Sequence, residues 1–146
     1  MFYYTKEDAL FSPTFIDMYS KIDSLINNKD IVVLGYAITN DLDYLRNDYE
    51  RLGFDFKFLS GYDIQSFYKK YNGLENGMKL FKLANLFGID TSKLVEHKSD
   101  DDAEVSMLIA KHYCNELHIT IDEFINKYDI NVFPSKKKEL KTKNVV

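Results

Sequence analysis

Residues 96–113 read EHKSDDDAEVSMLIAKHY, a loop with a histidine that runs into a long amphipathic stretch. The helical spacing predicts a helix over residues 100–116. Ser99 is suited to be its N-cap, with Asp102 three residues on as the acidic half of a capping box. Asp100 and Asp101 then complete an acidic first turn, favourable against the helix dipole. The same geometry supports a second reading. A carboxylate fixed in a first turn, such as Asp102, offers the hard oxygen that Mg2+ or Mn2+ takes as ligand. A neutral histidine in the preceding loop, His97, has the chemistry to deprotonate an attacking water. On these residues alone both readings stand.

The rest of the chain bounds the choice. Its 146 residues suit one domain, and a composition of 45% hydrophobic and 15% aromatic residues, with 11 Tyr and 11 Phe, is enough to build a core. A formal net charge of -4 argues against a general electrostatic grip on nucleic acid, though not against local lysines and bound cations. Cys114 is the one cysteine, so no intrachain disulfide can form, which suits a reducing compartment. The opening MFYYTKEDAL lacks a basic leader and an apolar core, and no apolar run reaches the ~20 residues of a membrane helix. The expectation is a cytoplasmic protein without a membrane segment.

Outward from the 96–113 stretch, the pattern alternates helices with short strands. Phe15, Met18, Ile22 and Leu25 recur at helical spacing after Thr14, a candidate N-cap. Ile31, Val32, Val33 and Leu34 form a continuous apolar run, the pattern of a strand buried on both faces. TNDLDYLRNDYERLG, residues 39–53, predicts a helix with Leu42, Leu45, Tyr49 and Leu52 as its stripe and Gly53 at its end. FDFKFLS, residues 54–60, predicts a second strand with Phe54, Phe56 and Phe58 on one face. Short helices follow at 63–71, 79–87 and 121–128, the last capped by Thr120. Residues 1–130 form the expected domain, and residues 131–146 a tail rich in lysine. The fold class is α/β and helix-rich, with a short parallel strand core.

A second carboxylate has a setting like that of Asp102. Asp41 follows the carboxyl end of the apolar strand and enters the first turn of a helix, the place where open α/β sheets bind ligands. Asn40 as a cap, with Asp43 three residues on, is the plainer account of the same residues.

Taken together, these segments resemble the 3'-5' exonucleases with a DEDDh active site, a family that includes proofreading subunits and RNA-trimming relatives. HKSDDDAEVS supplies His97, Ser99, Asp102, Ala103 and Ser106 to the histidine-aspartate motif. VVLGYAITNDLDYL supplies Asp41, Tyr44 and Leu45 to the second motif, with Tyr36 where the family has a histidine. YDIQSFYK matches the intervening helix, led by Asp63, and MKLFKLANLFGI the leucine-rich helix before the histidine. The similarity runs over roughly residues 5–116, with all four segments in order.

The resemblance implies a ribonuclease H-like scaffold and metal-dependent hydrolysis of terminal phosphodiesters at the 3' end of single-stranded DNA or RNA. Asp41 and Asp102 would be ligands of a two-metal Mg2+ or Mn2+ site, and His97 the base. The family opens with a strand bearing an Asp-x-Glu pair and two further strands, which have no counterpart near this N-terminus. The scaffold is therefore expected to be N-terminally truncated, and weak or inactive as an isolated chain. A homo-oligomer or a partner chain would then complete the sheet. The alternative is a non-catalytic interaction or regulatory protein on a degenerate exonuclease scaffold.

Overall fold

The computed structural model describes residues 5–56 and 61–135. Helices α1 (Lys6–Phe11) and α2 (Phe15–Ile26) come first. Each opens on a capping box, Thr5 with Asp8 and Thr14 with Asp17, so the Thr14 cap predicted from sequence is present. Strand β1 (Leu34–Gly35) leads into α3 (Thr39–Arg51), and β2 (Gly61–Asp63) into α4 (Ile64–Asn72). Helices α5 (Leu80–Leu86), α6 (Ser99–Leu117) and α7 (Ile121–Lys127) follow, and β3 (Asn131–Val132) ends the order. The α/β, helix-rich class expected from sequence is what forms.

The sheet has the order β1-β2-β3, mixed rather than purely parallel. β1 pairs parallel to β2, Leu34 with Tyr62, whereas β3 pairs antiparallel to β2, Tyr62 with Asn131. Successive amides of the central strand serve opposite neighbours. Tyr62 N donates to Val33 O, and Asp63 N to Ile130 O, both at 2.9 Å. Asn131 and Val132 thus lie within the sheet, although the sequence places them in the tail. Residues 136–146, the rest of that tail, lie outside the described residues, as do Phe2, Tyr3 and Tyr4.

Two expectations about strands are corrected. Ile31 and Val32 are 39% and 40% exposed, so the apolar run is not covered on both faces; only Leu34 of it enters β1. Of the predicted strand over 54–60, Phe54 and Phe56 lie in irregular backbone, and residues 57–60 lie outside the described residues. Tertiary packing explains the irregular backbone at Phe54 and Phe56. Phe54 stacks on Tyr19 at 3.9 Å between ring centroids, and Phe56 meets the buried Tyr49 edge-on at 5.2 Å. These aromatics serve the contact of α2 with α3 rather than a strand face.

The main core lies among α4, α5, α6 and α7, where Ile64, Phe67, Leu83, Val105, Ile109 and Phe124 are buried together. A smaller cluster, Ile38 and Leu42 with Ile26 and Val33 against it, seats the start of α3. Gly35 is required where β1 meets that cluster. A Cβ on it would stand 2.0 Å from Ile38 Cγ2. Leu25, expected on the buried stripe of α2, is 48% exposed.

Candidate functional site

The start of α6 departs from a plain capping box. Lys98, not Ser99, is the N-cap, and no side chain caps it; Ser99 is the first helical residue. The acidic turn instead reaches back to the loop. Asp101 Oδ2 accepts from Val95 N at 2.9 Å, and Asp102 Oδ1 accepts from His97 N at 3.1 Å. These bonds fold residues 95–97 over the helix end, and His97 sits in the left-handed region at φ 69°. The His97 side chain is 80% exposed, and its Nε2 lies 4.0 Å from Glu96 Oε1. Asp102 is half-buried, and its Oδ2 makes no hydrogen bond among the described residues.

Lys98, which sequence reading passed over, pairs with Asp100 at 3.0 Å and Asp101 at 3.3 Å. The Lys98 ammonium holds the Asp100 carboxyl below the usual carboxylate range, and the two carboxylates raise Lys98 in turn. The three-residue spacing of Lys98 and Asp101 was the signal that could have found it. Of the three aspartates, Asp102 is therefore the one free of a cation partner among the described residues.

Asp41 lies in the first turn of α3, as expected, beyond the carboxyl end of β1. The cap is Ile38 and has no side-chain bond, so Asn40 does not serve as one. Water reaches Asp41, yet protein crowds its carboxyl and pushes it above the usual range, opposed by its own backbone amide. Asp43 is committed elsewhere: it bonds Arg46 at 3.3 Å and accepts from Ser135 N at 2.6 Å.

The turn between β1 and α3 is held by Asp63, which is 5% exposed. Its Oδ1 accepts from Ala37 N at 2.7 Å and Gln65 N at 3.1 Å, and its Oδ2 from Ser66 Oγ at 2.9 Å. Tyr36 turns inward and donates its hydroxyl to Met78 O. Burial pushes the Tyr36 hydroxyl up to about 12, so it stays a neutral donor.

His97 and Asp102 are thus brought together through the backbone of one and the side chain of the other. No hydrogen bond or ion pair joins either to Asp41 among the described residues. Among the described residues no three His, Cys, Asp or Glu side chains are grouped to hold a metal ion. Asp41 and Asp102 do have the oxygen chemistry of Mg2+ ligands, which usually number one or two carboxylates with water and substrate phosphate filling the other positions. No helix among the described residues is long and apolar enough to cross a membrane. Comparison with protein-family models, with curated proteins and with solved structures gave no match.

Proposed function

We propose that the chain carries a 3'-5' exonuclease-like site on a ribonuclease H-like scaffold, directed at the terminal phosphodiester of single-stranded DNA or RNA. The junction of His97 with Asp102 carries this reading. A loop histidine in left-handed backbone donates its amide to a first-turn carboxylate and leaves its imidazole open to solvent. Helix capping needs neither the histidine nor that backbone conformation.

Asp41 supports the reading by its place beyond β1 and by its crowded carboxyl, whose ionised form a nearby cation would favour. In this proposal Asp41 and Asp102 offer oxygens to Mg2+ or Mn2+, which supplies charge neutralisation at the phosphate. His97 takes the proton of the attacking water. The chain supplies two of the four carboxylates that the resemblance implies, so its own turnover is expected to be slow.

A non-catalytic interaction protein is the second reading. The exposed Ile31 and Val32 beside β1 favour it, since a strand edge flanked by apolar side chains is suited to pairing with another chain.

Single-stranded DNA and RNA oligonucleotides labelled at the 5' end, incubated with Mg2+ or Mn2+, test the proposal. Slow shortening from the 3' end is expected, lost with chelator and in His97→Ala, Asp102→Ala and Asp41→Ala. No shortening at stoichiometric protein would overturn catalysis by this chain and leave the second reading. Rapid turnover lost in the same variants would instead show that the chain completes its own ligand set.

A further inference from the structure

Far along α6 from Asp102, a cavity of about 250 Å³ opens among α4, α5 and α6. Its walls are aromatic: Tyr68 and Tyr71 from α4, Phe87 from the end of α5, and His112 and Tyr113 from α6. Phe87 and His112 already stack, with centroids 4.2 Å apart and planes 15° from parallel. Tyr113 is 6% exposed, and its buried hydroxyl has no hydrogen-bond partner among the described residues. That hydroxyl is closed off from water, so Tyr113 meets the cavity with its ring. Two acceptors line the space. Glu116 brings a carboxylate, and Asn72 a side-chain oxygen left over after its amide nitrogen donates to Tyr68 O at 2.8 Å.

The cavity lies just below the ~300 Å³ at which pockets for drug-sized ligands begin, so it suits one ring system. A second cavity of about 380 Å³ also has Tyr68 in its wall, and its other contributors include Asn76, Gly77, Lys79 and Lys82. Both lysines are exposed, and neither has an ion-pair partner among the described residues. Helix α5 links the two spaces. Lys82 lines one and Leu86 the other, a single turn or ~6 Å apart along the axis.

One end of this paired site is therefore aromatic and rich in acceptors, and the other is cationic. We propose that it is a nucleotide-binding site: the base stacks in the aromatic cavity and the phosphate meets Lys79 and Lys82. Aromatic stacking beside lysine contacts is the chemistry of single-strand binding. The acceptors Glu116 and Asn72 select bases that present an exocyclic amino group, adenine or cytosine, over uracil. The site stands apart from His97, Asp41 and Asp102 and does not rest on hydrolysis there.

The test is calorimetric titration in chelator, using the His97→Ala chain so that cleavage cannot contribute. The probes are AMP, UMP, adenosine, inorganic phosphate and a five-residue oligoadenylate. Saturable AMP binding, about tenfold tighter than adenosine, is expected from one charge-assisted contact. Lys79→Ala with Lys82→Ala, both at exposed positions, should bring AMP down to the adenosine level. Tyr71→Ala, at an exposed position of the aromatic wall, should weaken AMP and adenosine alike. Oligoadenylate binding tighter than AMP would support the site as one for a strand, and the reverse order as one for free nucleotides. No saturable binding of AMP, equal binding of UMP, phosphate as tight as AMP, or affinities unmoved by the lysine or tyrosine variants would each overturn the proposal. Loss of nuclease activity would leave these results untouched, so the two proposals fail separately.

Discussion

Asp63 Oδ1 accepts from the backbone N–H of Ala37 at 2.7 Å across 26 residues of chain. Ala37 is in the left-handed region at φ 56°, a conformation that a residue with a Cβ adopts only when its surroundings hold it there. One buried carboxylate thus ties the turn that launches α3, and with it Asp41, to the first turn of α4.

Replacing Asp63 by alanine leaves the Ala37 and Gln65 amides and the Ser66 hydroxyl without this acceptor. The expected loss is about 2–4 kcal/mol of unfolding free energy, in the range of a broken buried network. Urea unfolding at constant slope would measure it. A loss below ~0.5 kcal/mol would mean that water satisfies the turn equally well.

Gly35→Ala should destabilise by about 1–3 kcal/mol, because its Cβ would lie 2.0 Å from Ile38 Cγ2. The two positions are coupled, so Gly35→Ala in an Ile38→Ala background should cost clearly less than in the parent. A double-mutant cycle with no interaction energy would show that the strand shifts instead of clashing.

His97→Gly should leave the fold at least as stable as His97→Ala, by up to ~1 kcal/mol, since glycine takes φ 69° without a Cβ penalty. Both variants should lose any nuclease activity. Thermal melts of the two proteins check the first statement, and a variant with glycine that melts well below the alanine protein would contradict it.

Asp41 has a definite sign in its pH dependence. Burial raises its folded pKa above the unfolded value, so the folded state binds the proton more tightly. Its contribution favours folding at low pH and is lost as pH rises through the raised pKa. Asp41→Asn removes this titration. Its stability relative to the parent should therefore grow as pH rises from below the ordinary carboxylate range through the raised pKa, and then level off. Chemical unfolding across that range reads the difference, and one that shrinks with rising pH would reverse the sign.

Ile31 and Val32 are 39% and 40% exposed beside β1, an edge strand among the described residues, and this face is proposed as a site of association. Sedimentation should show mass rising with concentration, and Ile31→Lys should abolish the rise. A monomer throughout the micromolar range would remove the proposal.

The sequence by itself determined the helices whose signals are local. Thr14 and Thr120 cap as their neighbours three residues on require, and Leu42 and Tyr49 bury as their spacing predicts. It also placed Asp41 and Asp102 in first turns, since four or five residues suffice to start a helix. Only the tertiary structure decided the strands. Phe54 and Phe56 alternate like a strand, but Tyr19 on α2 and Tyr49 on α3 claim their rings. Asn131 and Val132 carry no strong strand signal and enter the sheet because the outward amide of Asp63 needs the carbonyl of Ile130. The cap of α6 departed from its sequence signal for a more local reason. Ser99 fits the local rule, yet the loop amides of Val95 and His97 had no other acceptor and drew Asp101 and Asp102 backward. Local periodicity specifies a helix because its bonds close within four residues. A strand is specified by partners that the local sequence does not contain, and the loop before α6 by bonds that reach back beyond the span of the capping rule.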